Sequence, residues 1–226
     1  MIREQRSKEK LAQYYHNFMT EGVIDPNIHP WVAESWLRSR AGNVPCDYMA
    51  DMPKLDKDGL AVRQAEHRAV IDYLQGLYEQ IKEHFTTNNL SLLLLDNECY
   101  VLKSYAMPFF QKTAGELEGT RVAEQDIGTS SISVAYEHKT PFLMFGPEMW
   151  IAECQSGDAC SVPVMVEGRL KYMITLVAVE QSALPSDSVV ALLLSMKYAV
   201  ETYIGLRDKL EIRQTILDAV PLAVYH

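Results

Sequence analysis

Long apolar runs are missing from this chain. The longest, Leu92–Leu95 and Val189–Leu194, fall far short of the ~20 residues a membrane helix needs, so no membrane role is expected. The charged start, Met1-Ile2-Arg3-Glu4-Gln5-Arg6, has no apolar segment behind it and therefore lacks the pattern of a secretory signal. Cysteine is scarce: Cys46, Cys99, Cys154 and Cys160 are scattered over 226 residues. Without a secretion signal they read as free thiols in a reducing compartment, which makes the chain cytoplasmic. Cys154 and Cys160 are separated by five residues, wider than the usual zinc-pair spacing, and no second Cys or His pair sits at a matching interval. Buried structural thiols are the reading, with a metal or redox role as the alternative. Basic charge is also short. The 21 Lys and Arg stand against 30 Asp and Glu, a formal charge of −9, which argues against this chain gripping nucleic-acid phosphates by itself. Catalytic patterns are absent as well: there is no Gly-x-x-x-x-Gly-Lys loop, no Gly-x-Ser-x-Gly elbow, and the six His are isolated. No enzyme activity, cofactor or metal is expected.

Ordinary globular material remains. Apolar residues make up 48% and charged residues 23%, which excludes disordered, collagen-like and disulfide-scaffold classes. Leu11, Tyr14, Tyr15, Phe18 and Met19 recur at helical spacing, and a second short helix begins at Pro30 and stops at Gly42, with Asp25-Pro26 between the two. After a polar connection, Val62, Ala65, Ala69, Tyr73, Leu77, Ile81 and Phe85 form one stripe, predicting a single helix over 60–85. The period then changes. Leu90–Leu95, the turn Asp96-Asn97-Glu98 and Cys99–Lys103 predict a hairpin. Pro141–Phe145 is a short strand, and Cys160–Val166 with Leu170–Val179 a second hairpin around Glu167-Gly168-Arg169. A short helix is expected over 127–138. Hairpin-linked strands are antiparallel, so the fold class is α+β: one antiparallel sheet with flanking N- and C-terminal helices on one side and a loop-built cavity on the other.

A last helix starts near Ser186 or Asp187. Its apolar positions Val189, Met196, Tyr203, Leu210 and Leu217 fall seven apart, with Leu192, Ala199 and Leu206 between them. Such a seam fits a helix pairing with its twin in a homodimer; a helix lying on its own sheet explains the first half equally well. Residues 219–226 turn strand-like.

Two stretches go beyond periodicity. Ile28-His29-Pro30-Trp31-Val32-Ala33-Glu34-Ser35-Trp36-Leu37-Arg38-Ser39-Arg40-Ala41-Gly42 resembles the first helix motif of sigma-54-dependent transcriptional activators of the acetoin and dihydroxyacetone catabolism regulator type. Glu124-Gln125-Asp126-Ile127-Gly128-Thr129-Ser130-Ser131-Ile132 is similar to a segment of the GAF sensor domain in those regulators. Phe145-Gly146-Pro147-Glu148-Met149-Trp150 and Cys160-Ser161-Val162-Pro163-Val164 follow in the matching order. Two positions depart from the pattern, Ser130 for an Asn and Met149 for a His. The resemblance implies a GAF-like sensor domain over 59–212 with a C-terminal signalling helix, an N-terminal helical segment over 1–58, and a linker over 213–226 opening a PAS-like domain. It also implies an AAA+ ATPase and a DNA-binding domain elsewhere, through which sigma-54 RNA polymerase and DNA would be reached.

A sensor pocket needs apolar walls and a few orienting polar groups. The irregular middle offers Tyr105, Phe109, Phe110, Phe142, Met144, Glu148, Met149, Trp150 and Ser130, and the second hairpin adds Tyr172. Core packing is the competing role for Phe142 and Met144 on their strand. Trp150, in a loop after Gly146-Pro147, is the leading contact for a small-molecule effector. Aromatic faces beside a carboxylate attract cations that cannot hydrogen-bond. Trp150, Tyr105, Tyr172 and Glu148 therefore form a candidate cage for a quaternary ammonium compound. The alternative is a constitutive dimerisation or interaction module without a ligand.

Overall fold

The computed structural model describes residues 7–47, 52–87, 89–105, 114–178 and 187–219. Two helices open the chain, α1 (Lys8–Glu21) and α2 (Pro30–Ala41). Gly22 stops α1 in the left-handed region at φ 74°, its N–H donating to the Phe18 carbonyl. His29 begins α2 by accepting from the Trp31 N–H through Nδ1, with Pro30 at the first position.

The helix predicted over 60–85 is two helices. α3 (Lys57–Glu66) is capped by Asp56, which accepts from the Gly59 N–H, and α4 (Arg68–Thr87) starts after a break at His67. The break rotates the stripe: Val62 is exposed, while Val70, Ile71, Leu74, Tyr78 and Phe85 carry the buried face.

Among the described residues five strands follow: β1 (Leu90–Asp96), β2 (Val101–Tyr105), β3 (Phe142–Met144), β4 (Asp158–Val166) and β5 (Arg169–Ala178). They form one fully antiparallel sheet in the order β2-β1-β5-β4-β3. The first turn is tied by Asp96, whose Oδ1 accepts from the Glu98 and Tyr100 N–H groups. The second uses Glu167 and Gly168, both at positive φ, which matches the twist of a tight hairpin. Pro163 sits in β4 where β3 has already ended, since β3 pairs only with residues 159–161, so its missing N–H breaks no ladder bond there.

Side chains alternate across the sheet, and both faces are covered. Leu90, Leu92 and Leu94 face one core with Val162, Ile174 and Leu176, roofed by α4 and by α8 (Asp187–Ala219). Leu93, Leu95, Met173 and Val177 face a second core. This second face is roofed by α7 (Ser131–His138), by the loops, and by α1 and α2. Here the expectation of helices on one side needs extending. β1 is buried at every position, so its second face also requires a roof, and the N-terminal helices supply it. Leu11, Phe18, Val32 and Trp36 share that core with strand residues. Between the first and second hairpins lie α5 (Ala114–Leu117) and α6 (Glu124–Ile127), the latter separate from α7 rather than continuous with it.

α8 behaves differently along its length. Leu193, Met196, Val200 and Ile204 are buried on the sheet, and Glu201 accepts from the Met165 N–H at 2.6 Å, beside the irregularity in β4. Beyond Ile204 the apolar residues Leu206, Leu210 and Ile212 are exposed. Its first half thus lies on its own sheet, as one of the two readings has it. The predicted strand over 219–226 falls outside the described residues from 220 onward.

Candidate functional site

Two constructions occupy the loop face of the sheet. The first is a polar clasp between α2 and the loop leading into α7. Arg38 donates to both oxygens of Glu124 at 2.8 and 2.9 Å, a bidentate geometry that fixes both side chains. Ser35 donates to Glu124 and pairs with the Thr129 hydroxyl at 2.8 Å, and Ser39 lies 3.1 Å from the same Thr129 hydroxyl. Helical spacing puts Ser35, Arg38 and Ser39 on one face of α2, which is why one helix can hold one loop. The two tryptophans complete the clasp. Trp36 Nε1 donates to the Glu148 carbonyl at 2.8 Å, and its ring stacks on Phe18 at 5.2 Å. Trp150 Nε1 donates to the Val44 carbonyl, its backbone N–H to Thr129, and its carbonyl accepts from the Tyr15 hydroxyl. Gly128 (φ +67°) makes this possible, because a Cβ there would lie 2.4 Å from the Trp150 ring.

The second construction is a cavity of about 70 Å³ directly beneath the same loop. Its floor is Leu93, Val101, Ala159, Thr175 and Val177 from four strands; its roof is Leu117, Val122, Ile127, Ser130, Ser131, Ile132, Met149 and Cys154. No charged side chain is among the described residues lining it. Ordinary ligand pockets run to ~300 Å³ or more, so this space fits only a very small guest. Three hydroxyls form a chain behind one wall. Ser131 Oγ lies 2.8 Å from Ser161 Oγ, which lies 2.8 Å from Thr175 Oγ1, all fully buried. Burial pushes the Cys154 thiol up to about 12, so the one sulfhydryl at the cavity stays protonated and unreactive.

No family model matches the sequence, and no curated protein matches it. The fold does have a solved counterpart: a chain in the crystal structure of the E. coli DhaR(N)–DhaL complex superimposes with a TM-score of 0.74 at 19% identity. The match covers 84% of this chain and 66% of the other, so the chain spans slightly less than two thirds of the length of its structural counterpart. At that identity the likeness establishes the architecture, an α+β domain with one antiparallel sheet and flanking helices.

The structure divides the residues singled out from sequence. Ser130 and Met149 line the cavity. Phe142 and Met144 are buried in the loop-face core without reaching the cavity, Phe142 lying against the His29 ring at 5.2 Å. Trp150 is a core residue of the clasp. Glu148 is fully buried and accepts from the Phe145 N–H through its carboxylate. Tyr105 and Tyr172 lie on the opposite face, with α4 and α8. The Tyr105 hydroxyl donates to the Ile71 carbonyl, and the Tyr172 hydroxyl meets His67 Nδ1 at 3.0 Å. The quaternary ammonium cage is therefore not formed: the sheet stands between Trp150 and the two tyrosines. Period-2 alternation separates them, since Tyr172 sits one residue before Met173 and so on the other face. Phe109 and Phe110 lie outside the described residues.

Cys154 and Cys160 are likewise split, Cys154 at the cavity and Cys160 in the helix-side core. They do not form a pair; both are free thiols, and burial raises Cys160 to about 12 as well. Among the described residues no cluster of three or more His, Cys, Asp or Glu is placed to hold a metal, and no helix is long and apolar enough to cross a membrane. Sequence reasoning missed Leu93, Val101, Leu117, Val122, Ala159, Thr175 and Val177 as cavity walls. Each reads as an ordinary core position. The one signal that could have pointed there was the buried hydroxyl pair Ser161 and Thr175 facing each other in otherwise apolar strands.

Proposed function

We propose that this chain is the small-molecule-sensing, GAF-like regulatory domain of a bacterial sigma-54-dependent transcriptional activator, non-catalytic in itself and working in the cytoplasm as a homodimer. Its output would pass through α8 to an AAA+ ATPase and a DNA-binding domain, which reach sigma-54 RNA polymerase and DNA. The cavity under the Ile127–Ile132 loop is the observation that carries this reading. A guest there contacts the roof and the floor together, and it shifts the balance between two loop arrangements only by binding them unequally. Two routes lead out. The roof loop is held by the clasp, so its displacement pulls on α2 through Glu124 and Thr129. The floor is the back of the α8 seat: Ala159, Thr175 and Val177 face the guest, while Cys160, Ile174 and Leu176 face the helix core. The exposed Leu206 and Leu210 continue α8 beyond the sheet and supply an apolar face for a second copy.

The test is Ala159→Val, which fills the cavity from its floor. Transcription from the cognate sigma-54 promoter, measured with the full-length regulator, is expected to stop responding to inducing conditions while the protein stays folded. A second reading is a constitutive interaction module. It is favoured by the structural counterpart having been captured in a complex with a protein, DhaL, and by the exposed apolar residues of α8. Under that reading Ala159→Val leaves output unchanged, whereas Leu206→Gln with Leu210→Gln abolishes it. An unaltered response in the cavity-filled variant rejects the sensing reading.

A further inference from the structure

A second pocket opens where the β1–β2 turn meets α6 and α7. Its volume is about 330 Å³, inside the range of ordinary ligand sites, and it shares no wall residue with the aliphatic cavity. Glu98 and Cys99 come from the turn, Arg121 and Glu124 from the approach to α6 and its first position, and Tyr136 and Glu137 from α7.

Charge at this corner is unevenly matched. Every guanidinium there is already held: Arg121 by Asp126 at 2.8 Å, Arg38 by Glu124, and Arg63 by Asp96 and Glu98. Glu137 makes no ion pair among the described residues, and Arg38, gripped by Glu124, only feels its field. An anion entering the pocket finds no free guanidinium, whereas a cation finds an uncommitted carboxylate with Glu98 and Glu124 beside it. The chain itself seats a cation on this wall: Lys139, which does not line the pocket, places its ammonium 3.8 Å from the centre of the Tyr136 ring. Burial raises the Tyr136 phenol above its ordinary 10, and Cys99, Glu137, Glu98 and Asp96 add to the rise, as a negative potential does.

Another wall is the Cys99 thiol. It is 3% exposed, unpaired with any other cysteine, and without a hydrogen-bond partner among the described residues. Burial pushes it up to about 12, so it stays a neutral thiol, a weak acceptor for an N–H and not a nucleophile. A cavity of about 150 Å³ holds benzene, so about 330 Å³ takes a larger body of about ten non-hydrogen atoms.

We propose that this pocket binds a small organic ammonium ion, a protonated primary amine on a short apolar body. The ammonium meets Glu137, its other N–H groups turn to Glu98 and the Cys99 sulfur, and the body lies against Ala123 and Tyr136. Glu124 belongs to the pocket and to the clasp alike. A bound ammonium therefore draws on the carboxylate that Arg38 grips and loads the Ile127–Ile132 segment from outside.

Four probes of one shape test this. Benzylammonium is titrated into the chain at pH 7 while the Gln125 side-chain amide and the Ser133 backbone amide, both at the pocket wall, are followed by NMR. Benzyl alcohol lacks the charge, benzoate reverses it, and benzyltrimethylammonium keeps the charge without an N–H. Benzylammonium should shift both signals with a Kd in the millimolar range. Benzyl alcohol and benzyltrimethylammonium should bind about fivefold more weakly, and benzoate should leave the signals in place. Glu137→Gln changes an exposed helix position and should weaken benzylammonium about threefold without affecting benzyl alcohol. The Arg38 Nε–H signal should move with benzylammonium alone.

Benzyl alcohol or benzoate binding as tightly as benzylammonium overturns the charge assignment, and benzyltrimethylammonium doing so overturns the N–H assignment. Signals unmoved by all four probes, or a benzylammonium affinity unaltered in Glu137→Gln, overturn the site. A still Arg38 signal overturns the link to the clasp. The sensing reading rests on other walls and on Ala159→Val, so it stands or falls separately.

Discussion

The clasp and the cavity share one segment, Ile127 to Ile132 joining α6 to α7, yet they are built on opposite terms. The clasp is polar and aromatic, held by hydrogen bonds from Ser35, Arg38 and Ser39 and locked by two tryptophans. The cavity is aliphatic, with a buried hydroxyl chain packed behind its wall. The α2 motif and Glu124 to Thr129 went into the clasp, while Ile127, Ser130, Ser131, Ile132 and Met149 from the neighbouring motif positions line the cavity. Ser35-Trp36-Leu37-Arg38-Ser39 and Glu124 to Thr129 are two halves of one contact, and Trp150 closes it. The lesson is that the most distinctive residues of this domain position the roof, and plain ones surround the space under it.

The largest expected effect breaks the view of Trp150 as a ligand contact. Trp150→Ala removes a fully buried ring and leaves a void, a loss of about 3–5 kcal/mol. Urea denaturation followed by circular dichroism measures it, and a loss below about 1 kcal/mol contradicts the clasp. The same variant is therefore unsuited to probing a guest, since any lost response follows from lost fold. Gly128→Ala should act in the same direction, through both its positive φ and the approach of the Trp150 ring.

A smaller effect sharpens the polar half of the comparison. Glu124→Gln keeps the shape and removes the charge that Arg38 grips. Arg38 is 40% exposed, so solvent screening discounts the pair. About 1 kcal/mol is expected, shrinking further in high salt. A salt-independent loss would mean that packing, and not charge, holds this end of the loop.

The smallest effect serves as a control away from both regions. Burial pushes His67 below its usual 6.5, with Arg63 acting the same way against the opposing pull of Asp96 and Glu66. The unfolded chain therefore takes up this proton more readily than the folded one. The stability held by the neutral imidazole, which meets the Tyr172 hydroxyl, is complete above about 6.5 and is lost as pH falls below it. Comparing urea midpoints at pH 7.5 and 5.5, the parent should lose slightly more than His67→Gln. An equal drop in both assigns the acid sensitivity to carboxylates elsewhere.

Much of the architecture was legible in order and type. Alternation and turn residues located both hairpins, and the seven-residue spacing found α8. Two features were hidden for identifiable reasons. The helix over 60–85 read as one because its stripe continues unbroken through residue 67, and the break at His67, the C-cap of α3, carries no Gly or Pro to mark it in the sequence. The aromatic cage failed because residues close in composition lie on opposite faces of the sheet. Tyr105 pairs with Leu92, a helix-side position, and no count of aromatics shows that.

Sequence alone determined the local choices: where the chain coils, where it extends, and where Gly128, Gly168 and Pro30 force its turns. These depend on neighbours within a few residues, which periodicity and backbone sterics record. Tertiary structure alone decided which motif meets which and where space is left. A cavity is a place that atoms from Leu93, Leu117, Ile132, Ala159 and Val177 fail to fill together. Such a shortfall belongs to the assembled packing, and no single residue or spacing carries it.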